Sequence, residues 1–179
     1  MSEVPSPSVA ERTPDARVAI ISDTHFPRRG IRLADEIVAR MRDATAIIHG
    51  GDITSREGLD ELRAIGPPVH AVLGNNDGEL AGLLPEELTV TIAGVRIGMI
   101  HDAGARAGRL NRMRRRFPEA DAVVFGHSHI PLHEQADDGF QIFNPGSATD
   151  HRGRWPVHTM GELLVVGGEA RFGLIDLES

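Results

Sequence analysis

The strongest constraint on this chain is a repeated pattern: a short β-branched or apolar run ends in polar residues, and a longer segment with helical spacing follows. The run at residues 18–21 leads into Ser22-Asp23-Thr24-His25, after which Ile31, Ala34, Ile37, Val38 and Met41 fall on one helical face. The run at 46–48 leads into His49-Gly50-Gly51-Asp52. A helix is predicted at about 55–65, with Ser55 as a modest N-cap and Gly66-Pro67-Pro68 as the stop. A third run at 69–73 leads into Gly74-Asn75-Asn76-Asp77. Strands and helices alternating at this spacing predict a mainly parallel sheet built from βα units.

The second half is richer in strands. Residues 88–92 and 95–100 flank the short turn Ala93-Gly94 and predict a hairpin whose second strand runs into His101-Asp102. A helix at about 106–116 follows, and a run at 122–125 leads into Gly126-His127-Ser128-His129. Strands are predicted again at 140–143, 162–166 and 170–177, with Gly167-Gly168 as the last turn. A length of 179 residues fits one domain able to bury a core. That domain is expected over 17–179. Residues 1–16 carry Pro5, Pro7 and Pro14 with too little apolar surface to offset the entropy of ordering, which predicts a disordered tail. The tail lacks a basic start and an apolar h-region, and no apolar stretch approaches the roughly 18 to 20 residues of a membrane span. A cytoplasmic protein without a membrane partner is expected.

The polar residues that end the runs are of metal-ligating types: Asp23 and His25, Asp52, Asn75, His101, then His127 and His129. In open α/β sheets, ligands bind beyond the carboxyl ends of the strands, so these seven are expected to converge although about 100 residues separate the first from the last. Residues two apart in extended chain project to one side, so Asp23 with His25, and His127 with His129, are expected to aim at one cluster. Glycines before Asp52, Asn75 and His127 are expected to let the backbone turn where each strand ends. The chain has nine His and no Cys, which removes thiolate zinc sites, iron–sulfur clusters and cysteine nucleophiles. Any metal is therefore held by nitrogen and oxygen. Seven such ligands are too many for one transition metal and suit two sharing a bridge, with Asp52 as the natural bridging carboxylate. Two divalent ions, less the charges of Asp23, Asp52 and a bridging hydroxide, leave about +1, which suits a phosphate ester anion. Ions about 3.5 to 4 Å apart activate the nucleophilic water and clamp phosphoryl oxygens for in-line attack. The expected reaction is hydrolysis of a phosphate ester by a metal-bound hydroxide.

The order Asp23-x-His25, Gly51-Asp52, Gly74-Asn75-x-Asp77, His101 and Gly126-His127-x-His129 resembles the calcineurin-like metallophosphoesterase superfamily. The short length and the stretch Asn144-Pro145-Gly146-Ser147 resemble its small, compact phosphodiesterase branch of bacteria and archaea. The resemblance runs from about Arg17 to Leu177. It implies an α/β fold, a two-sheet β-sandwich flanked by helices in αββα layers, with a dinuclear centre at one edge. It also implies that Asp23, His25, Asp52 and His129 hold one metal and that Asp52, Asn75, His101 and His127 hold the other. The wider superfamily has His directly after the Asn of the Gly-Asn motif, where it can protonate the leaving group, and the small branch commonly has Cys; this chain has Asn76. A missing general acid forgoes roughly 10² to 10⁴ in rate for a poor leaving group, so phosphodiesters with activated leaving groups are expected as substrates over simple monoesters. Catalysis is expected to rest on Asp52, Asn75, Asn76 and His101, with Asn76 marking the departure from the family pattern.

The same fold includes a eukaryotic retromer subunit that resembles these enzymes yet serves as a scaffold, so a non-catalytic interaction module is the competing reading. The completeness of the seven ligands favours catalysis. Mixed imidazole, carboxylate and amide ligands suit two divalent ions of Mn, Fe, Co, Ni or Zn, with manganese first among them. A net charge of −7 argues against a general nucleic-acid or membrane-surface binder and leaves a phosphoester small molecule or nucleotide-type substrate, with a homo-oligomer left open. Arg109, Arg112, Arg114, Arg115 and Arg116 cover most of one helical surface, which on an acidic protein reads first as a solvated face. His49 is expected either to support the site by a hydrogen bond or to pack in the core, and Asp77 to orient His25 or the Asn75 loop. Arg28 and Arg29 either meet a substrate phosphate or lie in a solvated loop. Trp155 either lines the approach or packs. His70, His133, His151 and His158 have no constellation around them.

Overall fold

The computed structural model describes residues 13–27, 32–150 and 157–177. Residues 1–12 of the expected tail, together with Arg28, Arg29, His151 and Trp155, lie outside the described residues. The parallel core of one sheet is β1 (Ala16–Ile21), β2 (Ala46–His49) and β3 (Val69–Ala71), in register through pairs such as Ile20 with Ile48 and Ile48 with His70. β9 (Thr159–Val166) adds antiparallel to β1, and β10 (Glu169–Asp176) adds antiparallel to β9, so the sheet runs β10-β9-β1-β2-β3. The other sheet is built from β4 (Glu87–Ile92), β5 (Val95–Ile100), β6 (Ala122–Val124), β7 (Leu132–Gln135) and β8 (Gln141–Asn144), in the order β4-β5-β6-β8-β7. Its middle strands β5, β6 and β8 are parallel, and the edge strands are antiparallel.

Alternation along the strands sorts the apolar residues into three layers. Val18, Ile20 and Ile48 of the first sheet meet Ile97, Met99, Val124 and Phe143 of the second in the space between the sheets. Ala19, Ile21 and Ile47, one residue out of phase, face away and pack against α1 (Asp35–Arg42) and α2 (Arg56–Ala64) through Ile37, Met41, Leu59 and Leu62. On the far side, Val123 and Ile142 cover α3 (Arg109–Arg116) through Met113, with Phe117 just beyond the helix. Each buried side chain of this size stabilises the fold by about 1.5–3 kcal/mol relative to exposure. Helices on the outer face of each of two stacked sheets give the αββα sandwich.

Several boundaries differ from the sequence reading for identifiable reasons. β1 begins at Ala16, inside the segment expected as a tail, because Ala16 pairs with Val165 and is buried. α1 begins at Asp35 rather than near Ile31: Ala34 is extended at φ −60°, ψ 147°, and the acidic pair Asp35 and Glu36 sits in the first turn where the helix dipole favours it. α3 begins at Arg109 because Gly108 takes a left-handed conformation, φ 67°. β7 was not predicted, since Leu132-His133-Glu134-Gln135 has one apolar residue and pairs only along the edge with β8. The hairpin turn stands as read, with positive φ at both Ala93 and Gly94, the conformation that matches strand twist.

Candidate metal centre

All seven expected ligands lie just beyond strand ends on one side of the sandwich: Asp23 and His25 after β1, Asp52 after β2, Asn75 after β3, His101 after β5, and His127 and His129 after β6. Their polar atoms form a connected chain. Asp23 Oδ1 is 3.3 Å from His129 Nε2, which is 3.5 Å from His25 Nε2. Asp52 Oδ2 then stands 3.6 Å from His25 Nε2 and 3.6 Å from His101 Nε2. From His101 Nε2 the chain runs 3.0 Å to Asn75 Oδ1, which is 2.9 Å from His127 Nδ1. The ligand atoms of Asp23, His25 and His129 lie within 4.8 Å of one another, as do those of Asp23, Asp52 and His101.

These spacings test whether the residues fit a metal. A tetrahedral ion with bonds of about 2.0–2.1 Å has ligand–ligand edges of about 3.3–3.4 Å, and an octahedral one about 3 Å. The observed edges of 2.9–3.6 Å bracket those values, within a few tenths of an ångström of closing around an ion. The donor set is also one that water-free packing does not otherwise favour: Asp23, Asp52, His25, His101 and His129 are all buried together. Buried carboxylates facing buried imidazole nitrogens suit divalent cations of borderline softness.

Partners behind the ligands set the ring tautomers. His101 donates Nδ1–H to the carbonyl of Gly50 at 2.8 Å and His129 donates Nδ1–H to the carbonyl of Asp150 at 2.7 Å, which leaves both Nε2 lone pairs aimed into the cluster. Burial pushes the Asp23 carboxyl up, but hydrogen bonding with His129, the charge of His101 and the Ser22 hydroxyl outweigh it and hold the group below the ordinary range. Burial lowers His25 more than Asp52 and Asp23 raise it, so His25 favours the neutral, ligating form.

The local backbone departs from the sequence reading. Asp23 (φ 52°), His25 (47°), Asp52 (61°), His127 (68°) and His129 (56°) are all left-handed rather than extended. Such conformations cost about 1–3 kcal/mol each and persist only where the surroundings over-determine them. Asp23 and His25 do reach the same group of atoms, whereas His127 and His129 diverge, His127 toward Asn75 and His129 toward Asp23 and His25. The glycine reading also changes: Gly51 turns at φ 97°, but Gly74 and Gly126 serve close approach, since a Cβ on Gly126 would stand 2.0 Å from Ser22 Oγ and 2.6 Å from Asp23 Oδ2.

Asp77 is the principal clamp. Its buried carboxylate accepts N–H bonds from Asp52 (2.9 Å), Thr54 (2.6 Å) and Gly74 (2.7 Å), tying two ligand loops together and making no contact with His25 that accounts for its position. Fully buried His49 accepts from the Gly51 N–H at 3.1 Å and meets Thr24 Oγ1 at 2.9 Å, and burial pushes its pKa down to about 3. It thus supports the loops of Asp52 and Asp23 rather than a ligand side chain. Sequence reasoning missed Ser22, which donates to Asp23 Oδ2 at 2.6 Å, and the roles within 144–147: Asn144 donates to the carbonyl of Gly126 at 2.8 Å and Ser147 to that of Asp23 at 2.8 Å. The 144–147 stretch was visible as a motif, whereas nothing marked Ser22.

Asn76 faces the cluster. Its backbone N–H reaches Asp52 Oδ1 at 2.8 Å and its Nδ2 donates to Asp52 Oδ2 at 2.6 Å. Asn75, Asn76 and His127 are exposed while the Asp23, His25 and His129 side is buried, so the cluster opens to solvent on its Asn75 and His127 half. The α3 arginines are largely committed: Arg109 and Arg112 to carbonyls of the 103–107 loop, Arg114 to Asp138, and Arg116 to Glu87. Among the described residues no helix is long and apolar enough to cross a membrane.

The chain is similar to a probable metallophosphoesterase of Methanothermobacter thermautotrophicus, 34% identical over 134 residues that span 74% of this chain and 77% of that one. It is 29% identical to a phosphodiesterase of Methanocaldococcus jannaschii over 142 residues, 73% of this chain and 82% of the other. In fold it resembles vacuolar protein sorting 29 of Cryptosporidium parvum, with a TM-score of 0.72 at 21% identity, covering 92% and 98% of the two chains. The model of the calcineurin-like phosphoesterase superfamily domain matches residues 17–163, and the chain belongs to that superfamily.

Proposed function

We propose that this protein is a dinuclear metal-dependent phosphoesterase that hydrolyses phosphodiester bonds. One observation carries the reading: Asp52 Oδ2 stands 3.6 Å from both His25 Nε2 and His101 Nε2, between two sets of donors, where a bridging carboxylate belongs. Asp23, His25, Asp52 and His129 would hold one ion, and Asp52, Asn75, His101 and His127 the other. Two such ions, when bound, supply an activated water and a positive clamp for phosphoryl oxygens. Around them, His101 and His129 keep their Nε2 lone pairs inward through the Gly50 and Asp150 carbonyls, and Asp77 fixes the relative position of Asp52 and Asn75. The exposed half presents Asn75 and His127 to the ester.

The Asn76 carboxamide has no proton to give at neutral pH, and it is directed at Asp52. The leaving oxygen therefore departs without a general acid from this position, which suits diesters of acidic alcohols. The name of the Methanocaldococcus relative, a phosphodiesterase, supports the same class. Manganese is the first metal to supply. Rates on an activated aryl diester and the matching aryl monoester, measured with manganese, test the reading: faster diester turnover that Asp52→Asn abolishes is expected, and a strong monoester preference overturns it. The second reading, a non-catalytic scaffold, draws on the vacuolar sorting likeness in fold and on position 76. Absence of turnover on every ester, with metal bound, would favour it.

A further inference from the structure

Beside the exposed half of the centre lies a cleft of about 280 Å³ whose inner edge is formed by Asn75, His101 and His127. That volume has room for one small ester group. Its wall is chemically distinctive. Leu73 and Ile100 supply apolar surface, while Glu86, Glu87 and Asp102 supply carboxylates. Arg116 is the one guanidinium among the described lining residues, and both its Nε and a terminal nitrogen are engaged by Glu87 Oε1. The described wall therefore carries a net charge of −2, with its cation already neutralised by a neighbour.

We propose, resting on the phosphodiesterase reading above, that this cleft receives one of the two ester groups of the substrate and selects a group bearing a compact, alkylated positive charge. The apolar part of the lining, Leu73 and Ile100, accommodates methyl or methylene groups and the carboxylates attract the charge. Field lines from carboxylates concentrate in a cleft with low-dielectric walls. A second anionic group on the substrate meets repulsion here instead of a partner, so polyphosphates and extended nucleic acids are disfavoured at this position. The sign of the preference is diagnostic, because a positively charged metal centre alone would repel a cationic ester group.

Two p-nitrophenyl phosphodiesters of matched shape test the proposal with the manganese-loaded protein. One carries choline, and the other carries 3,3-dimethylbutanol, its uncharged carbon isostere. The choline ester is expected to have about fivefold higher kcat/KM at low ionic strength, as one charge facing two net charges across a solvated cleft gives, and the ratio should fall toward one in high salt. Glu86→Gln and Asp102→Asn should each lower the ratio about twofold, and Arg116→Gln should raise it. Glu169→Gln, on β10 and outside this cleft, should leave the ratio unchanged. Turnover of both esters at equal rates, or a ratio that does not respond to Glu86 and Asp102, overturns the proposal while leaving the phosphodiesterase reading intact. Failure to cleave either ester, when metal is bound, overturns that reading and the proposal with it.

Discussion

Replacing Gly74 by Ala tests how tightly the ligand loops are locked. A Cβ at that position would stand 2.2 Å from both Asp52 N and Asp52 Oδ1, and 2.9 Å from Asp52 Cα. Ordinary carbon contacts begin near 3.4 Å, so the loops must separate by about 1 Å, and backbone cannot swing aside as a flexible side chain does. The separation falls on the Asp77 bridge, at 2.7 Å to Gly74 N and 2.9 Å to Asp52 N, and on the Asn75 Oδ1 contacts at 2.9 and 3.0 Å. Overpacking of this kind costs about 1–3 kcal/mol of stability, which for a chain of this size lowers Tm by about 2–4 °C per kcal/mol. A misplacement of about 1 Å in a catalytic group costs on the order of 10²-fold in rate. Gly78→Ala is the control, because a Cβ there meets nothing within 4 Å. Initial rates on an aryl diester with saturating manganese, alongside thermal melts of both variants, give the readout. Activity of Gly74→Ala within twofold of wild type would refute the argument that close approach of these loops builds the centre.

Other outcomes follow from particular contacts. His49 has a pKa near 3 in the folded protein against 6.5 unfolded, so only the unfolded chain takes up its proton between those values. His49 therefore leaves stability unchanged above pH 6.5 and lowers it by roughly 1.4 kcal/mol per pH unit below that, down to about pH 3. Urea melts of metal-free protein at pH 7 and 5 should show a steeper loss for wild type than for His49→Gln, and equal slopes contradict the assignment. Asn76→His should raise the ratio of alkyl-diester to aryl-diester rates by up to about 10², since a general acid helps poor leaving groups most; an unchanged ratio argues against position 76 facing the leaving oxygen. Ser147→Ala removes the donor to the Asp23 carbonyl and the acceptor of the Thr149 and Asp150 N–H groups. It should cost about 1–3 kcal/mol by urea unfolding, and a loss below 0.5 kcal/mol would mean water takes over the contacts.

Much of the architecture was legible because burial follows simple periods. Val18 and Ile20 against Ala19 and Ile21 announce a strand covered on both faces, and Ile37 with Met41 marks the buried stripe of α1. The gathering of ligand types at strand ends was legible from order alone, because parallel strands place their carboxyl ends together. What the sequence hid lies in backbone conformation and in contacts distant along the chain. Left-handed φ at Asp23, His25, Asp52, His127 and His129 carries no local signature beyond the tolerance of Asp and His for that region. Ser147 meets Asp23 across 124 positions, and no local pattern encodes such a pairing. The α3 arginines read as a solvated face because their partners, the 103–107 carbonyls, Asp138 and Glu87, come from the fold.

The central claim is that Asp52 joins two metal sites in one centre. Electron paramagnetic resonance of the manganese-loaded protein, run beside elemental analysis, tests it most directly. The account predicts two ions per chain with an exchange-coupled signal, and an Asp52→Asn variant in which the coupling is lost or the second ion is no longer retained. One ion per chain, or two ions giving uncoupled spectra in the wild-type protein, would contradict it.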